Sequence, residues 1–252
     1  MSRIAVPDST WKLFEPFMTD YRPRKHTLRR IWDGILWMVR TGAQWEAMPK
    51  NYPPKSTVYW WYRRFVQDGV LTEIFMAVVQ ALEAAGKLDL RECSVDATFI
   101  RARATRDGKG KTKCGKGHKL MAIVDGKGHP LSLLVDSANP HELKLLQQVI
   151  DALATEENPE NLLGDKAYDD DGTDARLEEQ GINLIAPHRK NRTKPKTQDG
   201  RSLRRYKRRW KIEQFFAHLH NYRKITLCYE KYLVNYIGFA QFASVLLLIS
   251  KI

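Results

Sequence analysis

CSVDATFI, residues 93–100, separates two kinds of sequence. Cys93, Val95, Ala97 and Phe99 alternate with Ser94, Asp96 and Thr98, a period of two that predicts a strand. One face is apolar, and the other carries a carboxylate between two hydroxyls. Downstream, HKLMAIV (118–124), the turn DGKG and PLSLLVD (130–136) predict a strand, a hairpin and a strand. HELKLLQQVIDAL follows as a helix, with Asn139 as its cap, Pro140 at its first position and Glu142 as the capping-box acid. His141 is then a first-turn surface residue. ENLLGDKAYDDDG reads as a short strand, a turn carrying Asp165 and the entry to a helix over 172–180; INLIAP is a further short strand. Residues 187–201 form a basic, polar loop, and a helix from about Ser202 and an apolar last helix complete the chain. The order β-β-β-α-β-α-β-α is that of a mixed sheet layered with helices, an α/β arrangement.

Upstream of residue 89 the pattern is helical. Asp8 precedes a run with Trp11, Phe14 and Phe17, Thr27 opens TLRRIWDGILWMVRTG and Gly42 closes it. After Pro53 and Pro54, Ser56 is placed to cap STVYWWYRRFV, and a helix over roughly 71–85 ends at Gly86. Short helices with a basic member carrying Arg63 and Arg64 suit a helix-turn-helix, in which one helix enters the major groove. Residues 1–88 are therefore expected to form an all-α, helix-turn-helix-like DNA-binding domain, and residues 89–252 the α/β domain.

Charge is unevenly spread. The 252 residues hold 42 Lys+Arg against 29 Asp+Glu, a net +13, but residues 89–186 are acidic (13 basic, 18 acidic) and residues 187–231 strongly basic (15 basic, 3 acidic). Such a field attracts a polyanion, and nucleic acid is the expected partner. Cys93, Cys114 and Cys228 are odd in number and include no CxxC pair, so neither a disulfide framework nor a structural zinc site is indicated. MSRIAVPDSTWKLFE lacks the apolar run of a signal peptide, so a cytoplasmic location is expected. The run 233–250 approaches membrane-spanning length, yet Asn235, Gln241 and Ser244 interrupt it, and a buried helix rather than a membrane partner is expected. GKGKTKCGKG (108–117) has no GKS or GKT at phosphate-loop spacing and reads as a flexible loop that touches a DNA backbone or nothing.

Three acids stand in odd places: Asp96 inside a strand, Asp165 at a strand end, and Glu213 in YKRRWKIEQFF (206–216). On a helical wheel Glu213 shares a face with Tyr206, Arg209, Trp210, Phe216 and His220, which points it inward. A charge facing a core needs a partner, either Arg209 one turn away or a metal held together with other carboxylates. Singly, each acid has a structural explanation: Asp96 a bond to Thr98 or a loop, Asp165 a turn beside Lys166, Glu213 a pair with Arg209. Jointly they suit phosphodiester cleavage, for which two Mg²⁺ ions about 3.5–4 Å apart polarise the phosphate, activate water and stabilise the leaving oxygen.

SVDATFIRAR, LLGDKAYDDDG and YKRRWKIEQFFAHLHNYRKI, in that order, resemble the three acidic motifs of DDE transposases from bacterial insertion sequences, close to the insertion sequence 5 type. RPRKHTLRRIWDGILWMVRTGAQWEAMP and STVYWWYRRF are similar to that family's DNA-binding region, so the resemblance spans nearly the whole chain. It implies an RNase H-like fold, a mixed five-stranded sheet with flanking helices. It also implies Asp96, Asp165 and Glu213 as catalytic and metal-binding residues, and two Mg²⁺ ions for which Mn²⁺ substitutes. The implied partners are double-stranded DNA, as element terminal inverted repeats and target, and further copies of the chain in a homodimer or larger synaptic complex. The implied setting is the nucleoid of a bacterial cytoplasm.

The long insertion that some relatives carry before the third motif is absent, since only residues 187–201 lie there. The family's third motif runs Tyr, two residues, Arg, three, Glu, six, Lys; Tyr206, Arg209 and Glu213 match, but the lysine position is His220. DNA contact is expected from Tyr206, Arg209, His220, Arg223, Lys224, Arg63 and Arg64. The resemblance also puts Asn139, His141 and Glu142 near the active site, though not as metal ligands. Two other functions fit the same residues: a structure-specific nuclease on this fold that cuts without joining, and a DNA-binding regulator whose acids are an inert remnant.

Overall fold

The computed structural model describes residues 4–103, 108, 110–112, 115–198, 200 and 202–251. Cys114 and part of the Gly/Lys-rich stretch lie outside the described residues.

The N-terminal part is helical, as its caps predict: α1 (Asp8–Phe14), α2 (Leu28–Thr41), α3 (Lys55–Gln67) and α4 (Val70–Ala84). Thr27 caps α2 by accepting from the Arg30 N–H at 3.3 Å. Two caps differ from expectation. Pro54, not Ser56, precedes α3, and Asp8 lies inside α1 behind Pro7. Proline supplies a fixed φ at a position whose N–H a helix does not need, so it starts these helices without a side-chain bond.

Gly42 ends α2 with φ +61°, and a Cβ there would lie 2.7 Å from the Arg223 carbonyl carbon. Left-handed backbone and close approach both demand glycine. Gly42→Ala is expected to destabilise by about 2–3 kcal/mol, measured as a shift of the urea midpoint at constant slope.

The sheet is built on the motif strand. β1 (Cys93–Ala102) pairs antiparallel with β3 (Gly115–Val124), which pairs antiparallel with β4 (Pro130–Ser137); on its other side β1 pairs parallel with β5 (Asn161–Leu163), and β5 with β6 (Asn183–Ile185). These are the five expected strands, in spatial order β4-β3-β1-β5-β6. Two short strands join them. β2 (Gly110–Thr112) pairs with the start of β3, and β7 (Leu227–Cys228) pairs parallel with the end of β1. Gly110–Thr112 is thus a strand where a loop was expected: the Lys111 N–H donates to Asn139 Oδ1 at 3.1 Å, and Gly110 packs on the Ala138–Asn139 backbone with no room for a Cβ.

Helices α5 (Glu142–Asp151), α6 (Asp171–Glu179), α7 (Ser202–Tyr206), α8 (Trp210–Leu219), α9 (Arg223–Thr226) and α10 (Leu233–Leu248) complete the chain. Because β1 is central, its first half is buried on both faces; Ser94 is buried with Cys93 and Val95, whereas Phe99, expected on the apolar face, is 53% exposed where the strand outruns its cover. Lys119 lies across that ring, 5.5 Å from its centroid.

The apolar run at the C-terminus, α10, is long and apolar enough to cross a membrane, but it packs into the core. Tyr62 of α3 stacks on Phe239 at 4.0 Å, its hydroxyl donates to the Asn235 carbonyl, and Gly238 admits Tyr62, Val66 and Leu71. The N-terminal helices and the sheet therefore share one hydrophobic cluster.

Candidate active site

Strand register brings the first two acids together. Ser94 of β1 pairs with Leu163 of β5 in parallel, and Asp96 and Asp165 each lie two residues further on. The extension is real: the Gly164 N–H donates to the Ile185 carbonyl at 3.0 Å, and Asp165 keeps an extended backbone (φ −77°, ψ 179°). Parallel partners face the same way, and neighbouring strands lie about 4.8 Å apart. Asp96 and Asp165 thus come near one another at the carboxyl end of β5, where the charge of Asp165 acts on Asp96. Asp96 Oδ1 accepts from the Ala97 N–H at 2.9 Å and Asp165 Oδ1 from the Ala167 N–H at 2.7 Å. Gly164 lets the Tyr168 ring fold beneath this turn, since a Cβ would meet it at 2.8 Å.

Further groups share the field of this pair. Burial pushes the Asp96 carboxyl above the ordinary range; the Ala97 N–H and Arg209 oppose the shift, and the Asp165 charge adds to it. Glu142, in the first turn of α5, is raised by burial, relieved by Lys119 at 3.6 Å, and raised again by Asp96 and Asp165. The fully buried Tyr168 phenol is driven well above its usual value by burial and then by Glu142, Asp96 and Asp165. Lys119 was not foreseen, although a lysine inside an apolar strand is the same signal that marked Asp96. Asn139 does not cap α5, because its side chain is engaged by Lys111; His141 does, its Nδ1 accepting from the Leu143 N–H at 3.3 Å.

Glu213 sits differently from the wheel. The buried stripe of α8 is Ile212, Phe215, Phe216 and Leu219, and the Glu213 side chain is 61% exposed. The wheel assumed one helix from Tyr206. Instead the backbone tightens to i→i−3 bonds between Lys207 and Ile212, where Arg205 and Arg208 are drawn to Glu92 and Arg209 to Asp96. Glu213 remains tied to the pair through one guanidinium: Arg209 Nη1 lies 2.5 Å from Asp96 Oδ2, and its Nη2 2.9 Å from Glu213 Oε1. Tyr206 lies beneath that guanidinium, 5.7 Å from ring centroid to carbon.

The remaining predicted contacts divide. Arg223 is exposed at the start of α9, and Arg64 is exposed beside Tyr21, Trp60 and Trp61 while pairing with Asp68 at 3.3 Å. Arg63 is half-buried against Tyr59. His220 is half-buried, its pKa lowered by that burial, with Nε2 lacking a partner. Lys224 does not reach the surface: it is 2% exposed and bonds the equally buried Glu230 at 2.8 Å, over the rings of Phe239 and Trp45. That partner removes it from the predicted DNA contacts.

The basic loop is likewise partly compensated. Arg192 pairs with Asp169 at 2.8 Å and Asp171 at 2.6 Å, His188 Nδ1 lies 2.9 Å from Asp169, and Lys194 reaches Asp171 at 3.2 Å. Beside them the Asp174 carboxyl is raised from 3.8 to about 6 by burial, then by Asp171, Asp169 and Asp170, with Arg192 opposing the shift. A raised folded pKa means that stability falls as pH rises from 3.8 to 6 and stays lower above. Asp174→Asn is therefore expected to stabilise the chain at pH 7.5 by about 1 kcal/mol, discounted for solvent screening, and to have no such effect near pH 3.5. Melting curves at the two pH values check it.

Hard carboxylate oxygens in register fit Mg²⁺ or Mn²⁺, which take one or two protein carboxylates and complete their shell with water and substrate phosphate. Among the described residues no group of three His, Cys, Asp or Glu is close enough to hold an ion by itself. Asp96 and Asp165 are the two acids nearest to such a site, and Glu213 is joined to them here only through Arg209.

The sheet order and its flanking helices are RNase H-like. The family model "Transposase DDE domain" matches residues 87–248, most of the chain, and the chain belongs to that family. A second model, "Putative transposase of IS4/5 family", matches residues 6–75. The chain is a DDE-type DNA transposase. It is 27% identical over 122 residues to an insertion element IS402 protein of 16.2 kDa from Burkholderia cepacia, covering 44% of this chain and 83% of that one. It is 31% identical over 113 residues to protein y4sN of Sinorhizobium fredii, covering 43% and 86%. Its fold is similar to that of piggyBac transposase, with a TM-score of 0.52 at 9% identity over 95% of this chain and 72% of that one. Divalent-metal use comes with the family.

Proposed function

We propose that Asp96, Asp165 and Glu213 are the catalytic carboxylates, holding two Mg²⁺ ions for which Mn²⁺ substitutes. The observation that supports this is the parallel pairing of β1 with β5, two residues beyond which Asp96 and Asp165 follow, each in the other's field. The metal, when bound, supplies Lewis-acid polarisation of the phosphate and an acidified water. The protein's share is placement. Asp96 and Asp165 are oriented by the Ala97 and Ala167 N–H groups, and Glu213 closes the site from α8. Arg223, exposed at the start of α9, and Tyr206 with Arg209, beside Asp96 and Glu213, are the residues that hold the DNA strand in this reading. His220 lies seven residues, about two helical turns, beyond Glu213 and offers a neutral donor, in keeping with its lowered pKa.

The reaction is hydrolysis of a phosphodiester at an element end, freeing a 3′-OH, followed by attack of that hydroxyl on target DNA. Residues 1–88 are the DNA-binding part, with Arg63 and Arg64 on α3, and residues 89–252 the catalytic part. The two family matches, ending at 75 and beginning at 87, support that boundary. A homodimer or larger synaptic complex is the working form, supported by the piggyBac protein's structure as a synaptic complex with hairpin DNA. The place of action is the nucleoid of a bacterial cytoplasm.

Incubating the chain with labelled terminal-repeat duplex and Mg²⁺, then with pre-cleaved ends and target plasmid, tests the whole reading. Cleaved and joined products are expected. Cleavage without joining would make the protein a nuclease, and neither product, with end-binding retained, an inert regulator.

A further inference from the structure

We infer that Arg209 is a built-in counter-cation that competes with divalent metal for the catalytic carboxylates, so that the site loads only when this guanidinium moves away. The inference rests on the assignment of Asp96, Asp165 and Glu213 above. It starts from occupancy. Asp96 Oδ2 accepts from Arg209 Nη1 at 2.5 Å and Oδ1 from the Ala97 N–H at 2.9 Å, while Glu213 Oε1 accepts from Arg209 Nη2 at 2.9 Å. Both oxygens of Asp96, and one of Glu213, already have donors.

A Mg²⁺ or Mn²⁺ ion would sit about 2.0–2.2 Å from its oxygens. A guanidinium nitrogen at 2.5 Å from the same Asp96 oxygen takes one of its lone-pair directions and puts a positive charge where the ion would sit, and the two positive charges repel. The contact is also sheltered, with the Arg209 side chain 16% and the Asp96 side chain 21% exposed, so water screens it weakly. Arg209 is placed to leave. It precedes the first residue of α8, in the tightened turn from Lys207, and among the described residues its guanidinium otherwise lies against the Tyr206 ring. Once released, its planar fork matches a phosphate, so a DNA strand entering the site would replace the lost ion pairs. Metal and DNA then favour each other's binding, and the chain without DNA loads metal poorly.

The test is isothermal titration of the full chain with Mn²⁺ alone, comparing wild type, Arg209→Gln and Arg209→Lys, with Asp165→Asn as the reference for the metal assignment. Arg209→Gln is expected to bind Mn²⁺ at least about tenfold more tightly than wild type, about 1.4 kcal/mol. Arg209→Lys is expected to fall between them, because one ammonium cannot bridge both carboxylates; it carries the comparison where the glutamine variant melts early. Equal or weaker Mn²⁺ binding by both variants, or no binding by any of the proteins, would overturn the competition. Asp165→Asn binding Mn²⁺ as wild type does would instead overturn the metal assignment, so the two failures are told apart.

Discussion

Asp165→Asn is expected to leave terminal-repeat binding within about twofold of wild type and to lower Mg²⁺-dependent cleavage by at least about 1,000-fold, about 4 kcal/mol of barrier. The size follows from placement. Asp165 lies two residues past the β1–β5 pairing, near enough for its charge to act on Asp96, so losing that charge removes half of the carboxylate pair around which phosphate charge must be stabilised. The fold should survive. Asparagine keeps the side-chain oxygen that accepts from the Ala167 N–H, and the half-buried position tolerates a neutral amide. Gel-shift, melting and cleavage assays on one preparation separate these quantities. Cleavage within tenfold of wild type would exclude Asp165 from the chemistry.

Lys224→Ala is expected to cost about 3–5 kcal/mol of stability, the loss that follows when one member of a buried ion pair is deleted. Glu230, 3% exposed, would keep a buried charge without its cation, beside the Trp45 and Phe239 rings that the lysine now covers. Lys224→Met with Glu230→Leu should regain most of the loss, because two apolar chains of similar volume leave no charge behind. Urea unfolding of the single and double variants measures the difference. The adjacent Arg223→Ala, on the exposed side of α9, should leave stability within about 0.5 kcal/mol and weaken end-binding instead.

Those two neighbours show where sequence reading stops. Arg223 and Lys224 are equivalent in the string, and only the turn of α9 and the return of the chain through β7 give the lysine its glutamate. Local signals were sound where the determinant was local. The period of two through CSVDATFI gave β1, and the Thr27 cap and Gly42 gave α2. The pairing of β1 with β5 joins residues about seventy positions apart and leaves no local trace; the family's motifs, not periodicity, pointed to Asp165. Glu213 was given an inward aspect because a helical wheel presumes an unbroken helix, and the turn after Tyr206 is set by carboxylates on another element, Glu92 and Asp96. Asn139 had the spacing of a cap, yet β2 engages it from across the sheet edge.

Anomalous diffraction from crystals of the chain bound to a terminal-repeat duplex and soaked in Mn²⁺ would address the paired acids most directly. A manganese peak about 2.2 Å from an oxygen of both Asp96 and Asp165 is the expected result. Manganese bound elsewhere, with these two side chains unliganded, would contradict the assignment of a catalytic centre to this pair.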